Sequence, residues 1–228
     1  MNKLARNSPN PSSRLLLYTI IILSFSVLGC GKYLRQENSN GAPSIHTIQN
    51  LIRIPLTRQA ADYTCGVAAL QSILYYYGQE FQEDDLVEKL GSTPEEGTKY
   101  PRLVEFTQSL NFRVEVRTGM TLDELKRLMD EKKPVILLIQ AWPDSTVDYA
   151  QDWDDGHYVI AIGYDQQNVY FMDPSTLGHY TFMPVREFLD RWHDQDGQTL
   201  PYQFGMVIWK DPPGKVYNPG EVKRMRRD

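Results

Sequence analysis

The sequence predicts an α+β fold in which helices come first and an antiparallel sheet follows. Three observations carry that expectation. Apolar residues recur at helical spacing between residues 65 and 133, short apolar or alternating runs take over from residue 135, and glycine or proline closes several of these stretches. With helices and strands segregated along the chain, the helices are expected to pack on one sheet, leaving a cleft where the two meet.

From residue 65 to 77, Val67, Leu70, Leu74 and Tyr77 share a helical face, and Gly78 stands where a helix commonly stops. Cys65 therefore opens a buried helix. Leu103, Phe106 and Leu110 mark a second helix beginning near Pro101, a residue suited to a first helical turn. Phe112, Val114 and Val116 then alternate with Arg113, Glu115 and Arg117, as in a half-buried strand. Thr121 and Glu124 have capping-box spacing for a helix over 122–133, with Leu122, Leu125 and Met129 on one face and Pro134 ending it. Strands are expected over 135–142, 157–164, 169–172, 180–183 and 204–210, interrupted by one helix over 185–193.

At the N-terminus, Lys3, Arg6 and Arg14 precede an apolar run over 15–28 that ends in Val27-Leu28-Gly29-Cys30. Fourteen residues fall short of the ~20 that span a bilayer as a helix, and the basic start and small residue before Cys30 fit a cleaved bacterial lipoprotein signal peptide. Cys30 would then be the lipidated first residue, fixing the chain to a membrane on the extracytoplasmic side of the bacterial cell envelope. Residues 1–29 read as signal peptide, 30–50 as a polar flexible tether, 51–210 as one folded domain and 211–228 as a C-terminal tail, its basic end over 223–227 solvated.

The chain has 24 Lys and Arg against 29 Asp and Glu, and loss of residues 1–29 removes three basic residues and no acid, moving the net charge from −5 to −8. Nucleic acid is excluded as a natural partner by that balance. Exported proteins usually place cysteines in disulfides, yet only Cys30 and Cys65 are present, so processing leaves Cys65 as a lone thiol.

Cys65 lies in Gln59-Ala-Ala-Asp-Tyr-Thr-Cys65-Gly66, with Gly156-His157 and Asp173-Pro174 downstream. These are the parts of a thiol-dependent acyl-transfer site: Cys65 as nucleophile, His157 as base and Asp173 as its orienter. A thiol at a helix N-terminus beside an imidazolium is favoured as thiolate. Gln59 is close enough in sequence to join the Cys65 N–H in holding an oxyanion, and Gly66 is expected to leave room for substrate backbone. His46, His179 and His193 lack such company. For a hairpin to set Asp173 level with His157 it must turn near Asp165; a strict two-residue turn at Gln166-Gln167 would pair Asp173 with Ile160 instead, so a longer loop or a bulge is required. Asp144, Asp148, Asp152, Asp154 and Asp155 crowd ahead of His157 and read as a solvated rim bordering the cleft, favouring basic substrates, rather than as a metal site. Trp142, Trp153 and Trp192 read as core or interface filler.

Through Gln59–Gly78 and Gly156–Pro174, residues 52–210 resemble the bacteriocin-processing, double-glycine leader peptidase family of the papain-like cysteine peptidase superfamily. The resemblance implies a papain-like fold, with the cysteine at the N-terminus of a helix in a helical lobe packed on an antiparallel sheet lobe. It implies a catalytic set at Cys65, His157 and Asp173 and an oxyanion glutamine at Gln59, with no cofactor. Many members are domains of ATP-driven exporters, whereas this sequence carries no P-loop and no multi-span region, so a stand-alone, membrane-tethered hydrolase is expected; a second departure is Thr64, which stands in the oxyanion loop where many relatives have an acid. The expected reaction is peptide-bond hydrolysis through an acyl-enzyme. The same triad also supports deamidase, transglutaminase or acyltransferase activity, and a peptide-binding lipoprotein without turnover is the remaining alternative.

Overall fold

Val67, Leu70 and Leu74 are fully buried on α1 (Cys65–Tyr76), and Gly78 beyond its end sits at φ 78°, a left-handed conformation that glycine enters without steric cost. The structure, a computed structural model, describes residues 43–141, 148–195, 199–222 and 224. The apolar stretch 15–28, Cys30, most of the tether, Trp142, Asp144 and most of the basic end lie outside the described residues.

Two more helices follow, α2 (Glu83–Leu90) and α3 (Tyr100–Ser109), the second with its proline in the first turn. α2 has no counterpart in the sequence-based expectation. Its apolar face is one short Leu86/Leu90 repeat, although three acids in its first turn and Gly91 at φ 63° are helix start and stop signals. After β1 (Arg113–Arg117) comes α4 (Leu122–Asp130), whose capping box is complete: Thr121 Oγ1 accepts from the Glu124 N–H, and the Glu124 carboxylate accepts from the Thr121 N–H at 2.8 Å. α4 ends at Asp130 rather than 133 because Lys132 turns to φ 57°.

The remaining strands are β2 (Val135–Gln140), β3 (Gly156–Tyr164), β4 (Asn168–Met172), β5 (Thr181–Pro184) and β6 (Gly205–Trp209), with α5 (Val185–Arg191) ahead of β6. Among the described residues, these six strands form one antiparallel sheet in the order β1-β6-β2-β3-β4-β5. Every residue of β2 and β4 is buried, which explains why both read as continuous apolar runs. α1 packs on β3 and on α2 and α3, α4 on β2 and β3, and α5 on β2, β4 and β5. Phe188 of α5 lies between Phe171 and Trp192, and Trp192 is only 1% exposed, so this tryptophan belongs to the core.

Both ends of the domain extend beyond their expected limits. Gln49 donates its N–H to the Tyr164 carbonyl at 3.0 Å, which joins the last residues of the expected tether to the body. Tyr217 donates its N–H to the Tyr76 carbonyl at 2.7 Å and sets its ring beside Tyr75, so the tail is packed as far as residue 217. Among the described residues, no helix is long and apolar enough to cross a membrane.

Candidate active site

Cys65 is the first residue of α1, half-buried, and lines a cleft of about 970 Å³. A cysteine here has the positive end of the helix dipole behind its sulfur. Among the described residues, the N–H groups of Cys65, Gly66 and Val67 have no hydrogen-bond partner, as the first turn of a helix provides unless a side chain caps it.

His157 stands on β3 and Asp173 directly follows β4, so the β3–β4 hairpin carries both behind Cys65; Cys65 lines the cleft, and the other two are not among its described lining residues. Tyr164 pairs with Val169 and Gly163 with Tyr170, but beyond a bulge at Ile162 the register shifts, so that Ala161 pairs with Phe171 and Ile160 with Met172. One further step along this ladder sets Asp173 beside Val159. The expected irregularity is present, yet Asp173 is not level with His157; it lies two residues along and reaches it diagonally. The bulge also turns the Ile162 carbonyl outward, where the Ile52 N–H binds it at 2.7 Å. At Gly163 a β-carbon would come within 2.5 Å of Ile48, so glycine lets the incoming segment cross here.

His157 Nε2 and Asp173 Oδ1 are 2.7 Å apart, with side chains 3% and 17% exposed. That bond leaves Nδ1 for the sulfur, and the imidazole is in hydrogen-bond and charge contact with Cys65. Burial, the largest single influence, pulls the His157 pKa down. The hydrogen bond to Asp173 and the contacts with Cys65 outweigh it and raise the value to about 9. For Asp173, burial pushes upward, but His157 and the Ser175 N–H and hydroxyl bring the carboxyl down to about 2. An imidazolium–carboxylate pair therefore stands beside the sulfur at neutral pH. Asp173 also accepts from the Ser175 N–H at 2.9 Å, Ser175 Oγ at 2.8 Å and Thr176 Oγ1 at 3.1 Å. Ser175 and Thr176 are absent from the sequence-based candidates; the signal for them is Asp-Pro-Ser-Thr, where an aspartate receives its own turn's donors.

Gln59 is placed in the loop before Cys65, with its N–H on the Pro174 carbonyl at 3.0 Å. Its side-chain Nε2 donates to the carbonyls of Ala61 at 3.0 Å and Asp62 at 3.3 Å, while Oε1 is buried without a partner. The amide donors are thus held within their own loop. Gly66 differs from expectation as well: a β-carbon there would meet Thr98 Cβ at 2.9 Å and the Tyr158 ring at 3.0 Å, so its missing side chain accommodates protein rather than substrate.

The cleft runs between Ala60–Tyr63 and Pro94–Lys99 on the helical side and Leu138, Trp153, Asp154, Gly156, Tyr158, Asp194 and Gln195 on the sheet side. Among the described residues, five carboxylates line it (Asp62, Glu95, Glu96, Asp154 and Asp194) against one lysine, Lys99. Of the expected aspartate rim, Asp154 faces this space. Asp148 instead accepts from the Ala150 N–H, and Asp155 gives its N–H to Gln140 Oε1. Trp153 does line the cleft, while His46 and His179 are exposed and His193 is buried with Nε2 on the Asp152 carbonyl at 2.8 Å.

Residues 51–200 match the model of the Peptidase_C39 like family. No curated protein matches the chain. Among solved structures, a putative C39-like peptidase from Bacillus anthracis is similar at a TM-score of 0.55 and 20% identity, covering 72% of this chain and 97% of its own. The peptidase domain of Streptococcus ComA, a bi-functional ABC transporter involved in quorum sensing, is similar at a TM-score of 0.52 and 20% identity, covering 67% and 96%. A double glycine motif protease from an AMS/PCAT transporter, in complex with its leader peptide, gives 0.50 and 16%, covering 70% and 94%. At these identities the likeness concerns the fold.

Proposed function

The chain belongs to the Peptidase_C39 like family, and from that premise we propose that it is a cysteine peptidase that hydrolyses peptide bonds through Cys65, His157 and Asp173. The observation that carries the proposal is the grouping of a half-buried sulfur that lines the cleft, a buried imidazole in contact with it, and a carboxylate hydrogen-bonded to that imidazole.

In this reading the Cys65 thiolate attacks the scissile carbonyl carbon. A C–S bond forms as the carbonyl π pair moves onto oxygen, and the Cys65 N–H holds that oxygen. Gln59 joins as the second donor by releasing the longer of its two bonds, that to the Asp62 carbonyl. The His157 proton at Nδ1 passes to the departing amine nitrogen as the C–N bond breaks, leaving a thioester. His157 then takes a proton from water, the resulting hydroxyl attacks the thioester, and thiolate departs from a product carboxylic acid. Asp173 retains its negative charge throughout and keeps the imidazole aligned.

The substrate is a peptide or protein segment, and five cleft carboxylates against Lys99 favour one carrying basic residues near the cut. The lipoprotein-type start of the sequence supports a chain tethered by lipid at Cys30 and working outside the cytoplasm. The test is labelling by a thiol-reactive probe at neutral pH together with mass spectrometry of a digested peptide mixture. Labelling and products that vanish in Cys65→Ala and weaken in His157→Ala are expected. An unreactive Cys65 refutes the peptidase and favours a binding protein, and products of transfer or deamidation reassign the reaction.

A further inference from the structure

Thr64 occupies the N-cap position of α1, yet its side chain makes no capping bond. A threonine there ordinarily accepts the N–H of the second or third helical residue, here Gly66 or Val67. Its hydroxyl is engaged elsewhere. Thr64 Oγ1 lies 2.8 Å from Glu83 Oε1 and 3.0 Å from the Ala61 carbonyl oxygen, both acceptors only, and its one proton goes to the nearer and charged partner, Glu83. The same Oγ1 accepts the Ala61 N–H at 3.2 Å, and Glu83 Oε1 also accepts the Ala60 N–H at 2.9 Å. The Ala61 carbonyl is in turn occupied by the Thr64 N–H at 3.1 Å and Gln59 Nε2 at 3.0 Å.

Resting on the peptidase reading above, we infer that Glu83 is a positioning residue for the oxyanion site. It draws the Thr64 hydroxyl away from the helix start and pins the loop 59–64, so that the first-turn N–H groups and Gln59 are held for a developing oxyanion. Glu83 touches no substrate and acts through Thr64 and Ala60. Its own placement is firm, since it stands in the first turn of α2, whose Leu86 and Leu90 are buried and which packs on α1. The loop is anchored at its other end by the Gln59 N–H on Pro174, the residue after Asp173, so nucleophile loop and orienter loop share one frame.

The test separates oxyanion holding from nucleophile reactivity in the full chain. Iodoacetamide alkylation of Cys65 needs no oxyanion donor. An acetylated tripeptide aldehyde does, because its carbonyl carbon takes the sulfur while the π pair moves to an oxygen that the donors hold before it is protonated. Glu83→Ala is expected to weaken aldehyde affinity between about tenfold and a hundredfold, as small misplacements of reacting groups do. Glu83→Gln, whose amide oxygen accepts the same two donors more weakly, is expected to lose about threefold. Thr64→Val should match Glu83→Ala, the double variant should be no worse than either, and alkylation should stay within about twofold throughout. Equal losses in alkylation and aldehyde binding, an unaltered aldehyde affinity in Glu83→Ala or Thr64→Val, or additive losses in the double variant would overturn the assignment. If Glu83→Ala does not fold, Thr64→Val and Glu83→Gln decide it. A wild-type chain that is alkylated but takes no aldehyde refutes the peptidase reading, and the Glu83 assignment with it.

Discussion

Replacing Asp173 by asparagine keeps the shape of the Asp173 side chain and removes its charge, which makes it the sharpest probe of the His157 site. His157 is raised from an ordinary 6.5 to about 9, a difference of roughly 3 kcal/mol in favour of the imidazolium. Seen from the carboxyl, lowered from 3.8 to about 2, against burial, by His157 together with the Ser175 donors, the difference is roughly 2 kcal/mol. The smaller figure is preferred for Asp173 alone, because Cys65 shares in holding the imidazolium. Loss of about 2 kcal/mol corresponds to a fall of about 1.5 pH units in the His157 midpoint, read by NMR titration of the imidazole nitrogens. The stability contribution follows the same groups. The part owed to His157 is complete below pH 6.5 and disappears as pH rises through about 9; the part owed to Asp173 is complete above pH 3.8 and disappears as pH falls through about 2. The Tm difference between wild type and Asp173→Asn should therefore be greatest between about pH 4 and 6.5 and shrink on both sides. A wild-type midpoint near 6.5, or one unmoved by the substitution, refutes this account of the pair.

Other consequences are equally specific. Gln59→Ala should lower kcat by about 10²–10³ with little change in Cys65 alkylation, and an unchanged kcat removes Gln59 from the oxyanion site. Peptides with Lys or Arg beside the cut should be cleaved with kcat/KM about tenfold above their Glu counterparts at low ionic strength, a gap that closes as salt is added; equal rates at low salt contradict the acidic-cleft reading. Gly66→Ala should destabilise the domain by about 1–3 kcal/mol, because its β-carbon would press on Thr98 Cβ and the Tyr158 ring, lowering Tm by several degrees. Cys30→Ser should move the chain from the membrane to the soluble fraction, and continued membrane association in that variant argues against the lipid tether.

The long-period helices and apolar strands were legible because burial imposes their repeat directly on the side chains: α1 and α4 follow from Val67, Leu70 and Leu74 and from the Thr121–Glu124 box, and β2 and β4 from their apolar runs. α2 was not, since two leucines make too short a repeat to stand out from loop sequence. The side chains grouped around Cys65 were readable because a lone thiol, a Gly-His pair and an Asp-Pro pair each carry local chemistry. What surrounds them was less so. A longer loop or a bulge was required by parity, but that it is a bulge, that it falls at Ile162 and that it sets Asp173 at the level of Val159 depend on which residue is extruded. Glu83 reaches Thr64 from 19 residues away through the packing of α2 on α1, and no local pattern in the sequence records that contact. Gly66 and the Gln59 amide illustrate the same limit, because what an absent β-carbon or a rotated amide faces is decided by neighbours distant in sequence, here Thr98 and Tyr158, and by the fold of the loop itself.

The most direct measurement is the intact mass of the chain, acid-quenched during turnover of a peptide mixture, followed by mapping of the modified peptide. The proposal predicts acyl adducts on Cys65 whose masses equal the N-terminal halves of cleaved peptides, absent in Cys65→Ala along with the products. Cleavage that persists in Cys65→Ala, or an acyl group mapped to any other residue, contradicts it.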